Sequence, residues 1–98
     1  MVHTVLAKFK FKTDEDKQKM VDILTKPEGL TKTRTFPGCV AIECYEAEEN
    51  TMVVWQKWDS KDDHAAYLKM RTEEGLLTAI KESLREDLEI THLTNVRA

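Results

Sequence analysis

Four side chains able to do chemistry crowd into one short stretch, WQKWDSKDDHAAYLKMR, residues 55 to 71. Within it stand Trp58, His64, Tyr67 and Arg71. On a helix, positions i, i+3, i+4 and i+7 share a face, so His64, Tyr67, Leu68 and Arg71 fall within one arc of about 100°. An imidazole titrates near neutrality and can act as a base or a hydrogen-bond donor. A phenol and a guanidinium beside it would orient or stabilise an oxyanion, and the Trp58 indole would stack on an aromatic ring. Each has a plainer alternative. His64, near a helix start, can hydrogen-bond to a neighbour, Tyr67 can pack on a sheet with its hydroxyl at the rim, Arg71 can run outward or pair with Asp63, Glu74 or another acid, and Trp58 can be core.

These residues need a scaffold, and the pattern of the chain supplies one. From Val2 to Phe11 the apolar residues alternate, with Val5, Ala7, Phe9 and Phe11 on one face and His3, Leu6, Lys8 and Lys10 among the others, as a strand requires. Thr13 followed by Asp-Glu-Asp is a helix start: the hydroxyl caps unpaired N–H groups and the acids favour the positive end of the dipole. Met20, Val21, Ile23 and Leu24 form its apolar stripe, and Pro27 and Gly29 interrupt it. Residues 30 to 36 predict a short helical piece, and Phe36-Pro37-Gly38 a turn.

A second strand is predicted over Cys39 to Glu46, with Val40, Ile42 and Cys44 on one face and Cys39, Ala41, Glu43 and Tyr45 on the other. The acidic stretch Glu46 to Asn50 makes a hairpin into a third strand, Thr51 to Trp58. Ser60 caps a helix over 61 to 72, Gly75 breaks it, and Leu76 to Leu84 continues with Leu77, Ile80 and Leu84 inward. The last strand is predicted over Leu88 to Val96, with Leu88, Ile90 and His92 in phase. The order β-α-β-β-α-β predicts a single α+β domain over 1–98, a ferredoxin-like sandwich whose antiparallel sheet is covered by helices on one face. The run Met52, Val53, Val54, Trp55 is apolar on both faces of its strand. Helices cover only one face, so a second copy, sheet against sheet, is the expected partner.

Composition narrows the field of functions. The chain has 98 residues, 41% hydrophobic and 34% charged, with a net charge of −3. That describes a globular domain, and the intermixed charges give no basic track for nucleic acid. The start is not a signal peptide, and no apolar run approaches the roughly 20 residues of a membrane helix, so the chain reads as cytoplasmic. Cys39 and Cys44 stand five apart; an extended strand would separate them by roughly 16 Å and point them oppositely, too far for a disulfide. No His-x-x-x-His or Cys/His pair has ligand spacing, and His3 and His92, near the two chain ends, would serve a metal only by converging with His64. No metal is expected. Neither a glycine-rich phosphate loop nor a G-x-S-x-G nucleophile is present.

Phe36-Pro37-Gly38-Cys39 opening a strand, an acidic hairpin, then Trp55-x-x-Trp58-Asp59-Ser60 leading into a helix with His64, Tyr67-Leu68, Arg71 and Gly75, resembles the antibiotic biosynthesis monooxygenase (ABM) domain, in its quinol monooxygenase-like branch. The likeness spans nearly the whole chain in element order and is sharp over residues 36–39 and 55–77. It implies a dimeric α+β barrel with a ligand cavity between sheet and helices. It also implies oxidation of quinols or anthrones by molecular oxygen without metal or flavin. Departures are visible. Gln56 stands where many members have glutamate, and Tyr67 where many have histidine. The haem-degrading members use an asparagine on the first strand and a histidine on the later helical segment, and this chain has neither.

Two functions follow. In the first, the protein is a cofactor-independent monooxygenase of a small aromatic, quinol- or anthrone-like, substrate. His64 and Tyr67 are then catalytic, and Trp58, Arg71, Gln56 and Leu68 bind the substrate. In the second, the same fold is a non-catalytic small-ligand-binding or structural homodimer.

Overall fold

The computed structural model describes residues 2–96. The outermost residues of the predicted domain, 1 and 97–98, lie outside them. Strand β1 (His3–Lys10) is followed by helix α1 (Asp14–Leu24), a wide turn (Pro27–Thr31) and helix α2 (Lys32–Thr35). Then come β2 (Cys39–Ala47), β3 (Thr51–Trp58), α3 (Lys61–Glu73), α4 (Leu76–Glu82) and β4 (Glu89–Leu93). The strands make one sheet in the order β2-β3-β1-β4, every neighbouring pair antiparallel. This is the ferredoxin-like α+β arrangement that the alternation predicts.

The helix starts follow their capping chemistry. The Thr13 hydroxyl accepts from the Asp16 N–H at 3.0 Å, and Ser60 Oγ accepts from the Asp63 N–H at 3.1 Å. Helix α1 buries Met20, and α4 buries Ile80. Helix α3 is different: its buried residues are His64 and Arg71. An apolar stripe is not what seats α3 on the sheet.

Val5, Ala7 and Phe9 of β1 and Met52 and Val54 of β3 face the helices and are buried. The opposite face carries Leu6, Val53 and Trp55, with Tyr45 and Leu93 exposed. That face is only partly apolar, because Lys8 and Lys57 share it, and the Lys57 ammonium lies 5.2 Å from the Trp55 ring centre. Among the described residues no helix is long and apolar enough to cross a membrane.

Four expectations are corrected. Between Cys39 and Ala41 the β2–β3 register slips by one: Cys39 pairs with Trp58 and Ala41 with Lys57. The bulge at Val40 resets the alternation, so Cys39 lies on the same side as Ile42 and Cys44, and both thiols pack against the core. His3 pairs with Trp58 and stands on the Val5 side of the sheet, not among Leu6 and Lys8. Leu84 leaves the helix and bridges to Phe11, ending α4 at Glu82. The last strand stops at Leu93 rather than Val96.

Candidate functional site

The helix-covered face of the sheet ends, beside β3, in two buried residues that hold each other. Trp58 is fully buried and its indole Nε1 donates to Gln56 Oε1 at 2.9 Å. An indole nitrogen only donates, so the amide oxygen must be the atom facing it, and the Gln56 NH₂ is turned away. The indole packs against Tyr67 (ring centres 5.0 Å apart), His64 (5.8 Å) and Phe36 (6.1 Å, edge on).

Helix α3 then presents its polar stripe in two parts. Its second half is a clamp. All five N–H groups of Arg71 are spent: Nε on the Tyr67 hydroxyl, Nη1 on the Glu28 carbonyl and Glu74 Oε1, and Nη2 on the Gly29 carbonyl and Thr33 Oγ1, each at 3.0 Å. The Tyr67 and Thr33 hydroxyls lie 2.7 Å apart, and Thr33 reaches the Gly29 carbonyl at 3.3 Å. Since both hydroxyls accept from Arg71, the order that uses every hydrogen runs from Tyr67 to Thr33 to the Gly29 carbonyl. Lys32 pairs with Glu74 at the outer edge. Burial works to lower the pKa of Arg71, and its hydrogen bonds to Tyr67 and Glu74 raise it overall, so the cation is secure.

The wide turn takes this shape because Gly29 lets the chain approach closely. A Cβ there would lie 2.4–2.6 Å from the Ile23 and Leu24 backbone. Two of the turn's carbonyls, those of Glu28 and Gly29, accept from Arg71.

The first half of the stripe is His64, only 3% exposed. Its ring packs against Trp58 and His92, and since no buried side-chain nitrogen among the described residues is left unpaired, its nitrogens are not sealed off from the cavity. Burial first, and then the neighbouring His92 and His3, lower its pKa to about 4. The imidazole is therefore neutral at neutral pH.

His64, Gln56, Tyr67, Leu68 and Arg71 line one internal cavity of about 70 Å³ between sheet and helices, with Thr33 and apolar residues such as Phe9, Leu30, Leu76 and Ile90. Two water molecules would fill it, whereas pockets for small organic ligands run to roughly 300–1,000 Å³. A larger hollow of about 320 Å³ between Lys81 and Ile90 contains none of these site residues. Trp58 does not line the cavity. It stands behind Gln56, so its contribution is to fix the amide rather than to stack on a ligand. Arg71 is not free to bind one without surrendering a bond it already makes.

Sequence reasoning missed Thr33 and left the convergence of His3 and His92 on His64 open. Thr33, 1% exposed, gave no signal in its polar surroundings, Lys-Thr-Arg-Thr. His3 and His92 meet His64: His3 Nε2 and His92 Nδ1 are 2.8 Å apart, and the ring centres of His64 lie 6.5 Å from His3 and 6.1 Å from His92. The phase of His92 with Ile90 was a usable clue; that of His3 with Val5 was another.

No family model matches the sequence, and no curated protein does. Solved structures do match. Rv0793 from Mycobacterium tuberculosis superposes with a TM-score of 0.82 at 17% identity, over 100% of this chain and 98% of that one. A protein solved as an antibiotic biosynthesis monooxygenase gives 0.82 at 18% identity, over 99% and 100%. The monooxygenase from the gene ActVA-Orf6 of Streptomyces coelicolor, solved with the ligand nanaomycin D, gives 0.75 at 16% identity, over 98% and 88%. At such identities the likeness is one of architecture: this chain has the ferredoxin-like α+β fold of solved antibiotic biosynthesis monooxygenases.

Proposed function

We propose that the protein is a cofactor-independent monooxygenase of the ABM kind, acting on a small quinol- or anthrone-like aromatic in the cavity between sheet and helices. The observation that carries this reading is His64: a buried, neutral imidazole without a hydrogen-bond partner among the described residues, on the wall of a largely apolar cavity. The kinship of fold with solved monooxygenases supports it. In such a reaction the substrate supplies the electrons. An anthrone CH₂ becomes C=O, one atom of O₂ stays in the product, and the other leaves as water.

The protein's part is then to hold an oxyanion. With its pKa lowered to about 4, His64 is a poor base toward a phenol, whose pKa is about 10. Its first role is as a neutral donor to the developing oxyanion, beside the Gln56 NH₂. The substrate's hydroxyl proton leaves to solvent as the anion binds, and the bound charge raises the imidazole pKa and strengthens its N–H···O⁻ hydrogen bond. Tyr67 and Arg71 act one step back, by holding the wall. Entry of a ring into about 70 Å³ requires apolar wall residues such as Leu30, Leu68 and Leu76 to part.

We further infer a homodimer through the open sheet face, where Trp55, Val53 and Leu6 would meet a second copy. The small cavity gives weight to the second reading, a ligand-binding or structural dimer without turnover. Oxygen uptake by metal-free protein over a panel of quinols and anthrones, with His64→Ala in parallel, separates the two. Uptake above autoxidation that falls at least tenfold in the variant is expected. Uptake equal in both proteins removes His64 from the chemistry, and no uptake with any substrate favours the second reading. Light scattering of Trp55→Glu beside wild type tests the dimer, with a halved mass expected.

A further inference from the structure

All three histidines of the chain, drawn from β1, α3 and β4, gather at one end of the sheet. Positions 3, 64 and 92 are far apart in sequence, and the antiparallel register brings them together: His3 opposite Trp58, His92 opposite Val5, and His64 on the first turn of α3 above them. We propose that His3, His64 and His92 form a three-imidazole site for a divalent transition-metal ion of the Zn²⁺ or Cu²⁺ class, with one coordination position left open.

The distances carry the argument. Two nitrogens on one ion, at a metal–nitrogen distance of about 2.0–2.1 Å, stand about 2.9–3.4 Å apart, and their ring centres about 5 Å apart. His3 Nε2 and His92 Nδ1 are 2.8 Å apart, with ring centres at 4.9 Å. The two rings are at ligand spacing, and the proton that now lies between their nitrogens would have to give way to the ion. Among the described residues no three donors are already arranged around one point. The His64 ring, at 6.1 and 6.5 Å, has to close by about 1 Å. Closing the site requires the His64 ring to turn away from Trp58, against which it packs at 5.8 Å.

The chemistry of the donors selects the ion. Three imidazoles without a carboxylate suit Zn²⁺, Cu²⁺ or Ni²⁺ and not the oxygen-seeking Mg²⁺ or Ca²⁺. Lys61, close to His3, opposes the ion's charge and sets a limit on affinity. His64 also lines the cavity. A metal on one of its nitrogens would hold the proton on the other and fix a single tautomer.

The test does not depend on oxygenase activity. Chelator-stripped protein is titrated with Zn²⁺ by calorimetry, and with Co²⁺ by visible absorption. One ion per chain, at micromolar affinity or tighter, with intensified Co²⁺ bands of low coordination number, is expected. His3→Gln and His92→Gln, both changes outside the core, should each weaken binding at least tenfold, and Zn²⁺ should raise the Tm of wild type but not of the variants. Absence of saturable binding, or wild-type affinity in both variants, overturns the site and leaves the His3–His92 hydrogen bond as the whole of the cluster.

Discussion

The two halves of α3 use one polar stripe in opposite ways. At Arg71 every donor is spent, on two backbone carbonyls, two hydroxyls and a carboxylate. At His64, two turns earlier, the ring is as deeply buried and makes no hydrogen bond among the described residues. A buried polar group that is fully paired contributes to the fold; a ring whose nitrogens stay accessible from the cavity side is available to something else, and no buried side-chain nitrogen or oxygen among the described residues is left without a partner. The contrast therefore assigns stability to the Arg71 end and any ligand chemistry to the His64 end, although the residues lie on a single helical face.

The largest effect expected from this contrast is at the clamp. Arg71→Met keeps the length of the side chain but strands its five partners, and should cost about 3–5 kcal/mol, as breaking a buried ionic network does. Urea unfolding would show it as a lower midpoint. A loss under about 1 kcal/mol would mean that the turn at residues 27–31 holds itself.

The next effect belongs to His64 and is a matter of pH. Its folded pKa of about 4 lies below the ordinary 6.5, so the unfolded chain takes up a proton that the folded one refuses. The associated stability is present above pH 6.5 and is lost as pH falls from there to about 4, by at most about 3 kcal/mol. His3 and His92, the histidines that face it, add to the same repulsion once protonated. Stability measured against pH in wild type and His64→Phe should diverge over that window, with wild type the steeper. Parallel curves would show that the ring reaches solvent.

The smallest effect is at Tyr67, which touches both halves. Tyr67→Phe removes one hydroxyl from the clamp and should cost about 1 kcal/mol. Its loss of oxygen uptake should be far smaller than that of His64→Ala. If instead turnover vanishes and stability does not change, the hydroxyl faces substrate and the division between the halves fails.

Much of this architecture is legible in the residues. Alternation placed four strands, Thr13 and Ser60 marked two helix starts, and helical spacing put His64, Tyr67, Leu68 and Arg71 on one face. What escaped has a common cause: it is decided by neighbours rather than by local pattern. A bulge at Val40 depends on how β2 meets β3, and it turned Cys39 to the other side. Thr33 is buried because Arg71 comes to it from another helix. Trp58 behind Gln56 rather than in the cavity, and Arg71 inside rather than at the rim, are likewise facts of packing.

The clamp also orders events in time. The segment from Pro27 to Thr33 owes its shape to a guanidinium that lies some forty positions further along the chain. During synthesis this stretch emerges early and lacks its clasp until residue 71 has been made. A truncated chain ending before that point would carry the turn's sequence without its structure, and the helix side of the cavity would remain unbuilt.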